Sequence, residues 1–233
     1  MHPTTLDVSR YICSLDQKAR KEGLQFRMGE DFEEYLSITS QIDGKYPTFP
    51  PFHPDCSQLE PGRAFWIVGE DKSGRVAHVQ ALRVLATTNL ADHLEALKVF
   101  YVAPARQAGP GSSGVCAEPT SRTISGFVAY HGDLWLRSDL RGKGLARTLA
   151  GVAFGLAWEK WSPDFIYAVV PFWTIQKGIV EQYGYLHKEA LGSVPSLPDR
   201  DVEKDNWLIW LTQLELSQLI KRSATEAIKR RLS

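Results

Sequence analysis

Hydrophobic and polar positions along this chain follow two periods, which predict helices and strands in mixed order. Apolar residues at loose helical spacing over residues 5–22 predict a modestly amphipathic first helix. The alternating run 24–28 predicts a strand, and the acidic start of residues 30–42 predicts a helix directly after it. Two β-rich runs, 64–69 and 75–85, are joined by polar turn residues and predict an antiparallel hairpin.

The centre of the chain predicts a strand and a turn that lead into a long helix. Residues 123–130 and 134–136 predict strands on either side of a turn at residues 131–133, and a helix with one apolar face runs to Trp161 before a strand at 165–170. Further predictions are a proline-rich loop at 46–61, a short helix capped by Asn89 and ending at Leu97, a brief strand at 99–102, a Gly-, Pro- and Ser-rich loop at 104–121, a helix ending at 181–185, a strand at 206–212 and a basic amphipathic helix at 213–231.

Composition excludes several classes of protein. The 233 residues are 43% hydrophobic and carry 27 basic and 27 acidic side chains, so the formal net charge is zero. A disordered chain has low hydrophobicity and high net charge, and a protein that attracts nucleic acid over its whole surface has a basic excess. We therefore expect one globular domain with appended segments.

The cysteine pattern indicates the compartment. Cys13, Cys56 and Cys116 are an odd number, widely spaced and without a CxxC pair, which favours neither a disulfide framework nor a metal site. The first twenty residues lack the apolar core of a signal peptide, and no apolar run approaches the ~20 residues that span a bilayer. We expect a cytoplasmic protein that holds no metal and does not enter a membrane.

The most informative stretch is a basic, glycine-containing turn between the strand at 134–136 and the long helix. Glycines let the backbone approach a ligand closely, and the first N–H groups of a helix are unpaired and lie at the positive end of its dipole. The window 137–147 holds four basic residues and one acidic residue, a local net charge of +3. This turn predicts an anion site for a pyrophosphate. It matches neither a Walker loop nor a Rossmann fingerprint, which disfavours nucleotide hydrolysis and hydride transfer.

The turn resembles the signature of the GNAT superfamily of N-acyltransferases, [Gln or Arg]-x-x-Gly-x-[Gly or Ala], in which Arg141, Gly144 and Ala146 hold the defining positions. The order of predicted elements from residue 23 to residue 212 is also similar to that family. The resemblance implies an α/β fold with a mixed, largely antiparallel central sheet flanked by helices. It divides the chain into a helical extension at 1–22, an acyltransferase domain at 23–212 and a basic amphipathic helix at 213–233.

The resemblance also implies the cofactor, acetyl-CoA or another acyl-CoA, and the residues that bind it. The pantetheine arm maps onto the backbone of the strand, at Leu134, Trp135 and Leu136. The pyrophosphate maps onto the turn, at Arg141, Gly142, Lys143, Gly144, Leu145, Ala146 and Arg147. An acetyl or short acyl group then passes directly from the thioester to an amine, while a backbone N–H polarises the thioester carbonyl.

Two positions depart from the family pattern. Many relatives carry a tyrosine that protonates the departing thiolate and an asparagine seven residues before it, but those positions hold Val180 and Trp173. The nearby Tyr183 and Tyr185 are interpreted as core packing residues. The absent tyrosine motivates an alternative function, a non-catalytic acyl-CoA sensor or regulatory module.

The sequence leaves the identity of the catalytic base open. Some relatives place a glutamate where this chain has Tyr130, so the neighbouring His131 and Asp133 are candidates to take the amine proton. The alternative is that these two residues only form a hairpin turn. His78 and Glu70 on the earlier hairpin are weaker candidates, and some relatives need no dedicated base.

The acceptor is expected to be a small-molecule or peptide amine bound by residues 46–61, 89–121 and 191–205. These segments contain both aromatic and polar residues. They have no dense cluster of charges of the kind that would indicate a polyamine, a nucleic acid or a phosphosugar as the acceptor. The C-terminal helix is expected to pack on the body or on a partner subunit, which leaves a homodimer open. Nucleic-acid association through that basic helix is a third, weaker hypothesis.

Overall fold

A computed structural model describes residues 2–108, 120–192 and 206–232, over which the chain forms nine α-helices, two short 3-10 helices (Pro50–Phe52 and Ser138–Leu140) and seven strands. The helices are α1 (Thr5–Lys21), α2 (Phe32–Thr39), α3 (Leu90–Glu95), α4 (Pro104–Gln107), α5 (Thr120–Thr123), α6 (Ala146–Trp161), α7 (Phe172–Gln176), α8 (Ile179–Tyr183) and α9 (Gln213–Leu232). The strands are β1 (Gln25–Gly29), β2 (Ala64–Glu70), β3 (Val76–Thr87), β4 (Gly126–Leu136), β5 (Phe165–Pro171), β6 (His187–Gly192) and β7 (Asn206–Thr212). No helix of the described ranges is long and apolar enough to cross a membrane.

The seven strands form one sheet in the order β1-β2-β3-β4-β5-β7-β6. All neighbouring strands are antiparallel except β4 and β5, which are parallel. Parallel neighbours need a crossover connection, and α6 supplies it between β4 and β5. The predicted mixed, largely antiparallel sheet flanked by helices is confirmed, and so is the hairpin of β2 and β3.

The predicted turn at residues 131–133 is wrong, because β4 continues through it. Gly132 lies opposite Ala81 and Trp135 lies opposite Val79, so Asp133 and Leu134 together face the single residue between them on β3. This is a β-bulge, and Asp133 takes a φ of 50° there. The residue types that favour a turn also suit a bulge, and continued pairing with β3 decides between them.

Beyond Tyr130, β4 and β5 part from each other. Their pairing covers only Val128–Tyr130 against Phe165–Tyr167, whereas β5 continues to pair with β7 as far as Pro171. The two strands therefore diverge after Tyr130, just before the bulge, and a cleft opens between them in the middle of the sheet.

Helix α1 packs closely on α6 and is an integral part of the described fold. Two glycines of α6 allow the approach: a Cβ on Gly151 would lie 2.6 Å from Leu15 Cδ1, and one on Gly155 would lie 2.6 Å from Ile12 Cγ1. Leu15 is buried in the same apolar cluster as the α6 core, and α9 adds Leu216 to it. Both terminal helices thus cover one face of the sheet.

Three sequence predictions differ from the structure in the loops. Residues 99–102 form turns, because the N–H groups of Phe100 and Tyr101 both donate to the carbonyl of Leu97, so the brief strand predicted there is wrong. Strand β6 was not predicted: the prediction had a helix that ends at 181–185 and a loop at 191–205, with no element between them. The predicted loop at 104–121 contains α4 and the start of α5, and its residues 109–119 lie outside the described residues.

Substituting Gly155→Ala tests the packing of α1 on α6 through the sign of its effect. Helix propensity alone favours alanine by about 1 kcal/mol, whereas overpacking against Ile12 costs about 1–3 kcal/mol. We expect a net loss of about 1 kcal/mol in the free energy of unfolding by urea titration, and a gain in the Ile12→Ala background. The exposed control Glu159→Ala stays within about 0.5 kcal/mol. A stabilising Gly155→Ala in the wild-type background would mean that α1 is detached.

Candidate functional site

The turn between β4 and α6 presents a row of backbone amides without hydrogen-bond partners. No backbone N–H from residue 142 to residue 148 donates to another atom of the described chain, and no side chain caps the start of α6. Gly142 and Gly144 take φ values of 75° and 70°, and a Cβ on either would meet nothing within 4 Å. The turn therefore carries unpaired donors, with open space beside its two glycines, at the positive end of a sixteen-residue helix.

Three basic side chains accompany these amides. Arg141 donates from Nε to the carbonyl of Leu136 at 2.8 Å, and neither it nor Lys143 nor Arg147 forms an ion pair with a described residue. Arg137 has a different role, since it bonds Asp71 at 2.8 Å and Asp139 at 2.7 Å. It ties the β2–β3 turn to the end of β4, and these two carboxylates balance its charge, which was part of the local net charge counted above.

A cavity of about 230 Å³ occupies the cleft between β4 and β5. Its walls come from both strands, from the segment after α2 and from α7 and α8. The lining residues are Lys45, Tyr46, Phe49, Tyr130, His131, Gly132, Asp133, Leu134, Trp135, Ala168, Val169, Val170, Pro171, Trp173, Thr174, Tyr183, Tyr185 and Ile209. The positive charge of Arg141, on the turn before α6, acts on Tyr183 in this wall, and Tyr46 and Phe49 contribute a different part of the wall.

Asp133 and Lys45 form a buried ion pair at the bulge, with side chains only 4% and 3% exposed. Lys45 Nζ lies 2.9 Å from Oδ2 and 3.0 Å from Oδ1, and the Tyr35 hydroxyl donates to Oδ2 at 2.7 Å. The N–H of Phe49 donates to Oδ1 at 3.4 Å. Burial raises the pKa of the Asp133 carboxyl, and the Lys45 ammonium opposes that shift. The cluster anchors the segment after α2 to β4.

His131 belongs to a buried hydrogen-bonded chain. Gln80 donates from Nε2 to the Leu149 carbonyl at 2.9 Å, which leaves its Oε1 facing His131 Nε2 at 2.9 Å. An amide oxygen only accepts, so His131 carries its proton on Nε2, and Nδ1 accepts from the Tyr185 hydroxyl at 3.0 Å. Burial lowers the pKa of His131 to about 3, which keeps the imidazole neutral near pH 7.

The structure brings both predicted base candidates to the cavity wall, although neither has a nitrogen or oxygen left without a partner. That His131 or Asp133 takes the amine proton stays a prediction, and their contacts suit a positioning role. Of the predicted pantetheine strand, Leu134 and Trp135 line the cavity on the edge of β4 that β5 has left, and Leu136 lies next to Arg141.

Three residues of the cavity wall were not predicted from the sequence to act there. Lys45 follows a glycine in a loop and pairs with a carboxylate 88 positions away. Trp173 is 42% exposed on the wall, while Val180, at the family's tyrosine position, is 1% exposed in the core. Tyr183 packs its ring on the core and also lines the cavity, and its hydroxyl makes no hydrogen bond to a described residue. The aromatic content of α7 and α8 was the signal available for Trp173 and Tyr183.

Comparisons with known proteins find a similar fold among solved structures. No family model matches the chain, and no curated protein matches it. Mutant forms of the spermidine/spermine N-acetyltransferase SpeG from Vibrio cholerae superpose with a TM-score of 0.50 at 12% identity, over 85% of this chain and 98% of that one.

Two other solved structures superpose with lower scores. SpeG from Vibrio cholerae in complex with manganese ions gives a TM-score of 0.47 at 15% identity, over 87% of this chain and 98% of that one. A protein described as a phosphinothricin N-acetyltransferase gives 0.43 at 16% identity, over 81% and 98%. At these identities the likeness to the first structure shows a shared fold.

The buried histidines predict a pH dependence of stability. Burial lowers the pKa of His78 to about 4 and that of His131 to about 3, so the unfolded chain binds more protons than the folded chain below pH 6.5. Stability therefore falls as the pH falls, and we expect a loss of about 2 kcal/mol in the free energy of unfolding from pH 6 to pH 5. His131→Gln should remove about half of that loss, whereas the control His2→Gln, at an exposed residue, should leave it unchanged. An unaltered slope in His131→Gln contradicts the assignment.

Proposed function

Because this chain has the fold of the GNAT superfamily, we propose that it is an acyl-CoA-dependent N-acyltransferase that moves an acetyl or other short acyl group to an amine. The observation that carries the proposal is the row of unbonded amides from residue 142 to residue 148, at the start of α6 and next to the cleft between β4 and β5. A bare anion site leading into a cleft lined by strand edges suits a ligand with a diphosphate at one end and a long amide-bearing arm.

The residues present fit coenzyme A in both parts. The amides of the turn, with Arg141, Lys143 and Arg147 beside them, would hold the diphosphate, and the missing Cβ atoms of Gly142 and Gly144 let it approach the backbone. The edge of β4 at Leu134–Leu136 would pair with the amides of the pantetheine arm. When bound, the coenzyme supplies the acyl thioester that an amine attacks.

The surroundings of the cavity limit where the amine proton can go. His131 is neutral with both nitrogens bonded, and the Asp133 oxygens already accept from Lys45, Tyr35 and Phe49. Among described residues the cavity thus has no group with spare basicity near pH 7. We propose that the amine binds as its free base and that water takes the proton released on attack.

Tyr183 is the proposed proton donor to the sulfur atom that leaves on acyl transfer. It lines the end of the cavity nearest Arg141, and burial raises the pKa of its hydroxyl to about 12, so the group stays protonated near neutral pH. Its hydroxyl makes no hydrogen bond to a described residue, so no such bond has to break before the proton is donated. It would replace the family's usual tyrosine, whose position is occupied by the buried Val180.

Substituting Gly144→Glu tests the coenzyme site. A carboxylate placed among the amides repels the diphosphate and fills its space, so the affinity for acetyl-CoA should fall by about 100-fold or more in calorimetric titration, which is about 2.7 kcal/mol. Gly62→Glu is the matched control, since its φ of 78° and open surroundings reproduce the backbone strain, and its carbonyl accepts from Trp161 at the other end of α6. Equal affinity in Gly144→Glu and wild type would refute the anion site.

Substituting Tyr183→Phe tests the proton donor. Loss of a general acid costs about 100-fold or more in kcat, while the ring that lines the cavity is retained. The dissociation constant of acetyl-CoA should stay within about twofold of wild type, which separates chemistry from binding. A fall in kcat of less than about threefold would exclude Tyr183 as the donor. Tight acetyl-CoA binding by the wild type, with no thiol release over a panel of amines, would instead identify the non-catalytic sensor.

A further inference from the structure

We propose that the acceptor is a primary amine with one aromatic or similarly flat apolar substituent and no second positive charge. The inference rests on the proposed function and names its substrate class. It is drawn from the charge and the surface of the cavity wall, and it separates this chain from the polyamine specificity that the SpeG structures carry in their names.

The first step is the charge of the cavity. Its described lining holds two ionised side chains, Lys45 and Asp133, and they neutralise each other at 2.9 Å. Both oxygens of Asp133 also accept from Tyr35 or from the Phe49 N–H, so the carboxylate has little capacity left to bind an ammonium group. Recognition of a polycation needs several spare carboxylates, because each buried charge without a partner costs several kcal/mol.

The second step is the charge at the rim. Lys177 lies with Nζ 5.1 Å from the centre of the Trp173 ring, and Trp173 lines the cavity. This ammonium forms no ion pair with a described residue, so it adds positive charge beside a residue of the cavity wall. It repels an acceptor with two or three positive charges and affects a monoamine that binds as its free base far less.

The third step is the shape and chemistry of the wall. Seven aromatic side chains line the cavity, and two of them are exposed: Tyr46 by 80% and Trp173 by 42%. Large aromatic side chains exposed beside a cavity indicate a surface that a ligand covers, and rings pack on rings with a preference of about 0.5–1.5 kcal/mol beyond the area they bury. An aryl group on the acceptor would lie against Trp173 or Tyr46 and direct its amine inward.

The test compares 2-phenylethylamine, propylamine and spermidine as acceptors in an acetyl-CoA-dependent thiol-release assay. We expect kcat/KM for 2-phenylethylamine to exceed that for spermidine by about tenfold or more. Trp173→Ala should lower kcat/KM for 2-phenylethylamine by about tenfold and for propylamine by less than about twofold, since propylamine has no ring to stack. Trp173→Phe should keep most of the activity toward 2-phenylethylamine.

Leu186→Ala is the matched control, because Leu186 is a 64% exposed apolar residue that does not line the cavity. It should change none of the three rates. Spermidine as the better acceptor, or an equal effect of Trp173→Ala on both monoamines, overturns the inference and leaves the acyltransferase proposal standing. Absence of thiol release with every amine overturns both proposals together.

Discussion

The divergence of β4 from β5 after Tyr130 is the constraint on which the rest of the site depends. β4 must keep its hydrogen bonds to β3, and β5 must keep its hydrogen bonds to β7, so the only ladder that can open is the parallel one between them. Opening it removes backbone partners from two strand edges in the middle of a sheet, which is costly unless a ligand or water replaces them. The cleft is thus a place where the fold leaves main-chain groups for another molecule.

The bulge on β4 and its ion pair follow from that constraint. With an extra residue opposite Gln80, β4 is locally bent at the point where β5 leaves it, and Asp133 projects from a backbone with positive φ. A carboxylate at this depth is stable only with its oxygens satisfied, and Lys45, Tyr35 and Phe49 do this together. The same contacts hold the segment after α2 over the cleft, so one buried charge fixes both the strand and the loop that faces it.

The other face of the sheet is held by neutral polar groups. The chain of hydrogen bonds from the Leu149 carbonyl through Gln80 and His131 to Tyr185 links the first turns of α6, two central strands and the segment after α8. Each member is satisfied by a neighbour, and a fully satisfied buried network rigidifies its surroundings. Because the unbonded amides at the start of α6 lie within about one helical turn of Leu149, these hydrogen bonds fix the turn before α6 relative to the cleft.

How well an element could be predicted from the sequence depends on how far apart along the chain its interacting residues lie. Residues close together in the sequence determine three elements: the hairpin, β7 and the glycine turn. All three were predicted, and β7 was predicted with its observed bounds. The continuity of β4 was missed because it depends on β3, some fifty residues earlier, and β6 was missed because its polar composition is typical of an edge strand that only β7 makes extended.

Charge shows the same division between local and distant effects. A net charge of zero and a basic window were both readable from the residues, and the window coincides with the turn whose amides are unbonded. Which of its charges act there was not readable, since Arg137 is neutralised by Asp71, 66 positions away, and the cavity is neutral only because Lys45 meets Asp133 across 88 positions. Among the described residues, the fold therefore leaves positive charge without an ion-pair partner on the turn before α6, whereas the two ionised residues of the cavity wall pair with each other. The first setting would suit the diphosphate of the proposed coenzyme, and the second would suit an acceptor with little charge.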